Sequence, residues 1–364
     1  MKRILFLSPT LGGGGAERQM VTIALALQDY GYEVEFLCYA RGNFYEKILI
    51  DNNVKIHWIF LPNYFIRMIK VRNFLRKESY DVVISFTETP SFLNNFSSLG
   101  KKNWKVITGE RSAKVEFFKT QKGKIFSYFQ RFADYIVCNS ENARQMWIHH
   151  YPQYENKLKL IYNTVKIQPI TSLYKVRRDA RLHIVVAASY QFLKNPVGVI
   201  EAINLMTDVE KSRISIDWYG RTKTLKNETI VYEYCQKLIK QYSLYDTICL
   251  HEATKDIHNK MNEADVVGLF SSVEGLPNAI CEGMMLGKPI IMSKISDYSI
   301  LVDDSNGFLC DWNDKESIKQ SLLSMESLTT EQLIKKGEAS KKKANKLFAT
   351  DTIINNWIEI IEKE

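Results

Sequence analysis

The most informative stretch of this chain spans residues 271–289 and reads SSVEGLPNAICEGMMLGKP. Pro277 is typical of the first turn of a helix, and Gly287 ahead of Lys288-Pro289 is typical of a helix end, so a short helix is predicted. The start of such a helix exposes backbone N–H groups that bind phosphate or sugar oxygens. The residues at this start that are predicted to bind such oxygens are Gly275, Leu276, Pro277 and Asn278.

Two carboxylates accompany this helix, Glu274 just before it and Glu282 within it. From these two positions they could accept hydrogen bonds from two separate sets of hydroxyls, one on a sugar and one on a ribose. The alternative interpretation is a favourable charge at the helix N-terminus together with a solvent-exposed helical glutamate.

Short β-branched runs alternate with helical patterns upstream, which predicts an α/β fold with doubly wound parallel sheets. Between the first two runs, Met20, Ile23, Ala24 and Leu27 recur at helical spacing and Gly31 follows as a stop. The predicted strands of the first half are 4–7, 34–37, 82–85, 106–107, 135–138 and 160–161. Those of the second half are 183–187, 214–218, 248–250, 266–270 and 290–292.

The chain has 364 residues, more than one hydrophobic core usually organises, so two domains are expected. The alternation lapses over 166–181, which predicts a linker there. The predicted division is a first domain over 1–165, a second domain over 182–345, and a C-terminal helix over 346–364 that packs back on the first domain. Polar or glycine-rich residues follow most strands, and ligands bind at such strand ends, so two facing edges would form one deep cleft.

Composition is that of an ordinary globular protein, with 45% hydrophobic and 25% charged residues, and the formal charge of +8 suits an anionic partner. The six cysteines are far apart and form no CxxC pair, which indicates reduced thiols in a cytoplasmic protein. No run of about 18 apolar residues is present, so membrane contact is expected to be peripheral.

The pair Glu274 and Glu282, separated by seven residues within EGLPNAICEGMMLGKPI, resembles the EX7E motif of family 4 retaining glycosyltransferases. The resemblance extends over nearly the whole chain and includes 13–18, 161–163, 264–266 and 306–308. It implies the GT-B fold, with two facing Rossmann-like domains, of which the N-terminal one binds the acceptor and the C-terminal one binds the nucleotide sugar. It also implies that Glu274 contacts the donor sugar as a catalytic residue and that Glu282 contacts the nucleotide ribose.

Lys194 follows the first strand of the second half, where a cation can meet a diphosphate. The resemblance implies that Lys194 is catalytic and holds this diphosphate together with an Arg five residues earlier. Ser189 occupies that earlier position here, which leaves the second cation open, with Arg221 as a substitute. An isolated Lys in a turn is otherwise usually just solvated.

Gly14 and Gly15 end a run of four glycines that permits close backbone approach to an anion, and they are predicted to bind the donor. Arg18 replaces the final glycine of a GxGxxG fingerprint, which weakens a dinucleotide-binding interpretation. A flexible turn between strand and helix is the alternative.

Glu110 and Arg111 occupy a strand end where the resemblance implies contact with the acceptor hydroxyl; a surface ion pair is the alternative. No Asp-x-Asp, HExxH or Cys/His cluster is visible, so neither a metal nor a cofactor is expected. The family reacts on one face of the sugar, with the donor phosphate taking the acceptor proton.

The resemblance implies transfer of a hexose or N-acetylhexosamine from a nucleotide sugar, with UDP-sugars expected first and GDP-mannose next. The expected acceptor is a glycan, notably a polyprenyl-diphosphate-linked saccharide, in surface polysaccharide or O-antigen assembly. One rival is a sugar-nucleotide epimerase, for which His149, His150 and His251 are the available histidines. The other is a nucleic-acid binder, but the prominent motifs are acidic and glycine-rich, so no nucleic-acid partner is expected.

Two stretches interleave basic and bulky apolar residues and could lie on the cytoplasmic face of a membrane. The alternative is that their apolar faces pack in the core. The first stretch contains Tyr64, Phe65, Ile66, Arg67, Met68, Ile69, Lys70, Val71, Arg72, Phe74, Leu75, Arg76 and Lys77. The second contains Lys114, Phe117, Phe118, Lys119, Lys122, Lys124, Ile125, Phe126, Tyr128, Phe129 and Arg131.

Overall fold

A computed structural model describes residues 1–100, 102–111, 115–177, 179–223 and 228–363. Lys114 of the second basic stretch and Arg178 of the predicted linker lie outside these ranges. The chain divides into two units, the first formed by Met1–Thr164 with Thr350–Glu364 and the second by Val165–Ala349.

The first unit is built on a seven-stranded parallel sheet in the order β3-β2-β1-β4-β5-β6-β7. Its strands are β1 Arg3–Ser8, β2 Glu33–Cys38, β3 Lys55–Trp58, β4 Val82–Phe86, β5 Lys105–Glu110, β6 Tyr135–Cys138 and β7 Leu158–Leu160. Its helices up to Thr164 are α1 Gly15–Asp29, α2 Glu46–Asp51, α3 Tyr64–Lys77, α4 Glu88–Ser97, α5 Val115–Lys119, α6 Gln121–Phe129 and α7 Glu141–His150.

Helix α1 confirms the crossover helix expected from the apolar spacing. Met20, Ile23, Ala24 and Leu27 are all buried. Gly31 follows with a φ of 91°, a conformation that glycine adopts without strain, and so the chain can turn into β2.

The second unit is built on a six-stranded parallel sheet in the order β10-β9-β8-β11-β12-β13. Its strands are β8 Leu182–Ala187, β9 Ile214–Gly220, β10 Ile248–Glu252, β11 Val266–Leu269, β12 Ile290–Ser293 and β13 Gly307–Cys310. Its helices are α8 Pro196–Asn204, α9 Asp208–Ser212, α10 Ile230–Gln241, α11 Ile257–Glu263, α12 Asn278–Met285, α13 Tyr298–Leu301, α14 Lys315–Glu326 and α15 Thr330–Phe348. Two parallel-sheet α/β domains were expected, and the fold class is confirmed.

The chain ends in helix α16, Thr350–Glu362, which belongs to the first unit. Its apolar face is buried, and the Trp357 ring lies 5.9 Å from the Phe86 ring. Lys105 Nζ donates to the carbonyl oxygens of Ile360 and Ile361 at 3.1 and 3.0 Å, so a cation caps the negative end of this helix.

The segment predicted as a linker, 166–181, makes hydrogen bonds within the second unit. Gln168 N–H donates to His258 Nδ1 at 3.0 Å. Tyr174 Oη and Arg177 N–H both donate to Asp265 Oδ1, at 3.2 and 3.0 Å. The part of this segment that the structure describes is therefore anchored on the second sheet near β11.

Candidate active site

Two loops flank the point in the second sheet where the strand order reverses. One follows β8, the other follows β11, and these strands are neighbours although the chain runs through β9 and β10 between them. Such a switch point opens a crevice at the carboxyl ends of the strands, where ligands bind in this class of sheet.

Lys194 and Glu274 meet across this crevice. Lys194 ends a short 3₁₀ turn after β8, and its Nζ donates to Glu274 Oε1 in the loop after β11. Ser271 Oγ donates to the same carboxylate oxygen at 2.8 Å. The side chains of Lys194 and Glu274 are mostly buried, with 20% and 15% of their surfaces exposed. The structure thus brings the two predicted catalytic residues together.

The loop that carries Lys194 is held in place from both sides. Asn195 adopts a left-handed conformation with φ of 61°, and its side chain accepts from Gly198 N–H at the start of α8. Leu193 O accepts from Ser272 N–H at 2.8 Å, which fastens this loop to the loop carrying Glu274. Backbone bonds therefore fix the loop that carries Lys194, and the contact with Glu274 holds its ammonium group.

Helix α12 begins where the sequence indicated, with Pro277 as its N-cap and Asn278 as its first residue. Leu276 is buried beneath the helix start, and Gly275 O accepts from Ser296 Oγ. The helix stops before Gly287, whose φ is 73°. The predicted donor-binding stretch 275–278 is thus the entry to α12, directly after Glu274.

Glu282 lies on α12, with 12% of its side chain exposed. Its Oε2 is 3.5 Å from Nε2 of His258 on α11, a residue that sequence reasoning did not single out. The contact joins residues distant along the chain, so no local sequence signal announces it.

Ser189 and Arg221 lie side by side at the ends of β8 and β9. The backbone N–H of Tyr190 donates to Arg221 O at 3.1 Å. A Cβ on Gly220 would lie 1.9 Å from Ala188 O, so only glycine allows the two strand ends to approach this closely. Arg221 is exposed, and its backbone lies beside that of Ser189.

Gly14 and Gly15 are at the start of α1 in the first unit. A Cβ on Gly14 would lie 2.2 Å from Glu17 Oε2, whereas one on Gly15 would meet nothing within 4 Å. The Glu17 carboxylate therefore lies against the N-cap, which makes the start of α1 less favourable to an anion than the glycines alone suggest.

Glu110 and Arg111 end β5, also in the first unit. Arg111 stacks on the Phe86 ring, with 3.6 Å from Cζ to the ring centroid, and Nη1 donates to Asn163 Oδ1 at 3.1 Å. Nε and Nη2 are buried without a hydrogen-bond partner in the described structure. Burial lowers the pKa of the Arg111 guanidinium, which still remains charged at neutral pH. The guanidinium is thus part of the domain interior.

The histidines that an epimerase would need are dispersed. His251 Nε2 is 2.6 Å from Asp217 Oδ1 at the carboxyl end of β10, while His149 and His150 lie on the last turn of α7 in the other unit. Within the described ranges, no group of three or more His, Cys, Asp or Glu side chains is arranged to hold a metal ion. No described helix is both long and apolar enough to cross a bilayer.

Two family models match the chain, "Glycosyltransferase Family 4" over residues 13–168 and "Glycosyl transferases group 1" over residues 175–345. A Campylobacter jejuni alpha-1,4-N-acetyl-D-galactosaminyltransferase, named for a GalNAc-containing diNAcBac-PP-undecaprenol, is 24% identical over 99% of this chain and 98% of its own. An uncharacterized Haemophilus influenzae glycosyltransferase is 24% identical over 88% of this chain and 90% of its own. The crystal structure of Anabaena HepE in complex with UDP and glucose superimposes over the whole of both chains with a TM-score of 0.83 at 19% identity. The chain is therefore a glycosyltransferase of the GT-B type, built from a family 4 N-terminal region and a group 1 C-terminal region.

Proposed function

We propose that this glycosyltransferase is retaining and metal-independent, and that it transfers a hexose or N-acetylhexosamine from a nucleotide sugar to a lipid-linked glycan. The observation that carries the proposal is the contact between Lys194 and Glu274 at the switch point of the second sheet. A cation and a carboxylate at one strand edge match the two chemical parts of a sugar diphosphate, its anionic bridge and its hydroxyls.

We propose a separate role for each of these groups. Lys194 stabilises the diphosphate leaving group, and Arg221 supplies the second cation in place of an arginine at Ser189. The entry to α12 offers backbone N–H donors, and Gly14 and Gly15 are proposed to bind the donor as well. Glu274 accepts from donor-sugar hydroxyls, whereas Glu282, one turn into α12, accepts from the ribose.

In this mechanism the bond between the anomeric carbon and the diphosphate oxygen breaks, and the acceptor oxygen bonds to the same face of that carbon. The acceptor proton passes to an oxygen of the departing diphosphate, so no protein nucleophile is consumed. The fixed charge of Lys194 favours this step because the negative charge grows on the diphosphate as the bond breaks.

Two relatives support the choice of substrates. The Campylobacter jejuni relative is named for an acceptor linked to undecaprenol through a diphosphate, and HepE was crystallised with UDP and glucose. We therefore propose a UDP-sugar donor ahead of GDP-mannose, and an acceptor on a polyprenyl diphosphate in surface polysaccharide or O-antigen assembly. Glu110 is proposed to contact that acceptor, whereas the burial of the Arg111 guanidinium on Phe86 argues against such a contact for Arg111.

A lipid-linked acceptor calls for a membrane-facing surface, and α3 offers one. Phe65, Ile66 and Ile69 are 69%, 50% and 52% exposed, next to the exposed Lys70. Arg72 has another task, because its Nη1 donates to Phe96 O and Ser97 O at the end of α4. We propose that the exposed residues of α3 contact the cytoplasmic face of the membrane. Arg72 does not take part in this contact and instead holds the end of α4.

This membrane surface is tested by sedimentation with anionic liposomes. The variant Phe65→Ser with Ile69→Ser should pellet less than wild type, and the pelleting of wild type should fall with added salt. The matched control is Leu205→Ser with Ile230→Ser, two exposed apolar residues of the second unit. Equal pelleting of all three proteins would remove α3 as the membrane contact.

The donor is tested by thermal unfolding with a panel of nucleotide sugars. A ligand at about 100 times its Kd adds roughly 2.7 kcal/mol to the free energy of unfolding. We expect UDP-sugars to raise the Tm of wild type by more than that of the Lys194→Ala variant. The proposed site would be contradicted if no nucleotide sugar of the panel raised the Tm of wild type, or if the Tm of both proteins rose equally.

A further inference from the structure

The imidazole of His258 is enclosed between the backbone at Gln168 and the carboxylate of Glu282. His258 is 5% exposed and lies on α11, which packs against α12. Its Nδ1 is 3.0 Å from Gln168 N, and its Nε2 is 3.5 Å from Glu282 Oε2. The two ring nitrogens therefore face partners of opposite hydrogen-bonding character.

The contact with Gln168 decides which ring nitrogen carries the proton. A backbone N–H can only donate, so Nδ1 must accept and the proton of the neutral ring is on Nε2. Nε2 is buried and has no hydrogen-bond partner within the described part of the chain. The Glu282 carboxylate is the acceptor close to this N–H, at 3.5 Å between Nε2 and Oε2, a distance just beyond an ordinary hydrogen bond.

We propose that His258 is a positioning residue for nucleotide binding, which orients the Glu282 carboxylate through Nε2–H. Such contacts are often long before the substrate is bound and shorten in the complex. By holding Oε2, the imidazole fixes the Glu282 rotamer and so presents the carboxylate to the ribose hydroxyls. This inference rests on the proposed ribose contact of Glu282.

A role limited to packing makes a different prediction. If His258 only anchors the segment around Gln168, the Nδ1 acceptor is what matters and the proton on Nε2 is irrelevant. Two variants separate these roles. In His258→Asn the amide oxygen can replace Nδ1, while in His258→Gln the amide nitrogen can replace the Nε2–H donor.

The experiment measures the Kd of UDP by calorimetry for wild type and both variants. A hydrogen bond to a charged group contributes enough for its loss to weaken binding about tenfold. We expect His258→Asn to weaken UDP binding by about that factor and His258→Gln to stay within about threefold of wild type. If Asn binds UDP as well as or better than Gln, the positioning role is overturned.

A double-mutant cycle ties the effect to Glu282. With Glu282→Gln as the background, His258→Asn should weaken UDP binding by less than about twofold. An undiminished loss in that background would overturn the inference. If Glu282→Gln alone leaves the Kd of UDP unchanged, the proposed ribose contact itself fails, which distinguishes the two failures.

A measurement on wild type covers the case in which a variant does not fold. With ¹⁵N-labelled histidine, the His258 resonances should show a protonated Nε2 and an unprotonated Nδ1, and addition of UDP should shift the Nε2 signal. A ring protonated at Nδ1, or an Nε2 signal unchanged by saturating UDP, would overturn the assignment.

Discussion

The backbone N–H of Ser272 donates to the carbonyl oxygen of Leu193 at 2.8 Å, which ties the loop after β11 to the loop after β8. The tie lies one residue from Lys194 and two from Glu274. Lys194 and Glu274 therefore face each other as a consequence of backbone geometry, and either side chain can be altered without dismantling the loops. This independence makes the site suitable for substitution.

Changing Lys194 to Ala should lower kcat by about 10²- to 10³-fold, the usual loss for one preorganised group that stabilises developing charge. The free energy of unfolding should change little, because Ser271 Oγ still donates to Glu274. Lys335→Ala, at a 70% exposed side chain, is the matched control and should retain full activity. A kcat near that of wild type in Lys194→Ala would sink the assignment.

The two glutamates should separate in a comparison of UDP with a UDP-sugar. Glu282→Gln should weaken the binding of both ligands about tenfold, because a charged acceptor to the ribose is lost. Glu274→Gln should spare UDP and weaken only the UDP-sugar, whose hydroxyls it loses. Calorimetry on both variants measures this difference, and an equal loss of UDP affinity would refute the separate roles.

Local patterns in the sequence predicted the elements whose periodicity is strong. Helices α1 and α12 were placed by apolar spacing and by the pair Pro277 and Gly287, since these signals act within a few residues. Strand β3 was missed because Lys55 and His57 interrupt its apolar character at the sheet edge, and β13 because it opens with Gly307.

The contacts in the site between residues distant along the chain could not be predicted from local sequence patterns. The contact of His258 with Glu282 and the proximity of Ser189 to Arg221 depend on how the sheet orders its strands. For Arg111 the sequence offers a surface ion pair as the alternative to an acceptor contact. Its guanidinium is instead buried on Phe86, because the partner ring comes from the neighbouring strand β4. Residue type and spacing along the chain do not predict which residues become neighbours across the sheet.

Lys288 should make the stability of the second unit depend on alkaline pH. Its Nζ lies 3.3 Å from the Tyr174 ring centroid and donates to Asn262 O at 2.7 Å. Burial lowers the pKa of the Lys288 amine to about 8, against the attraction of Asp265. Between pH 8 and the ordinary lysine pKa of about 10.4, the unfolded chain binds more protons than the folded one, so stability rises with pH.

The check is denaturant unfolding of wild type and Lys288→Met at several pH values. The free energy of unfolding of wild type, minus that of the variant, should increase by roughly 1 kcal/mol for each pH unit above 8. The reason is that one unit of pKa corresponds to about 1.4 kcal/mol. Below pH 8 the difference should be constant. A difference that is constant up to pH 10 would contradict the buried ammonium.

Activity should survive chelation. The proposed cations, Lys194 and Arg221, belong to the protein, so EDTA removes nothing that the leaving group requires. Donor turnover with EDTA, compared with turnover after added Mg²⁺ or Mn²⁺, measures this. Loss of turnover on chelation and its recovery with either metal would overturn the metal-independent mechanism.

Retaining sugar transfer at Lys194 and Glu274 is the reaction proposed for this protein. Its most direct test is ¹H NMR of slow donor hydrolysis by wild type, which needs no knowledge of the acceptor. With α-linked UDP-sugars as donors, the α-anomer of the free sugar should appear first, and Lys194→Ala should slow its release strongly. Appearance of the β-anomer first, or release unaffected by Lys194→Ala, would contradict it.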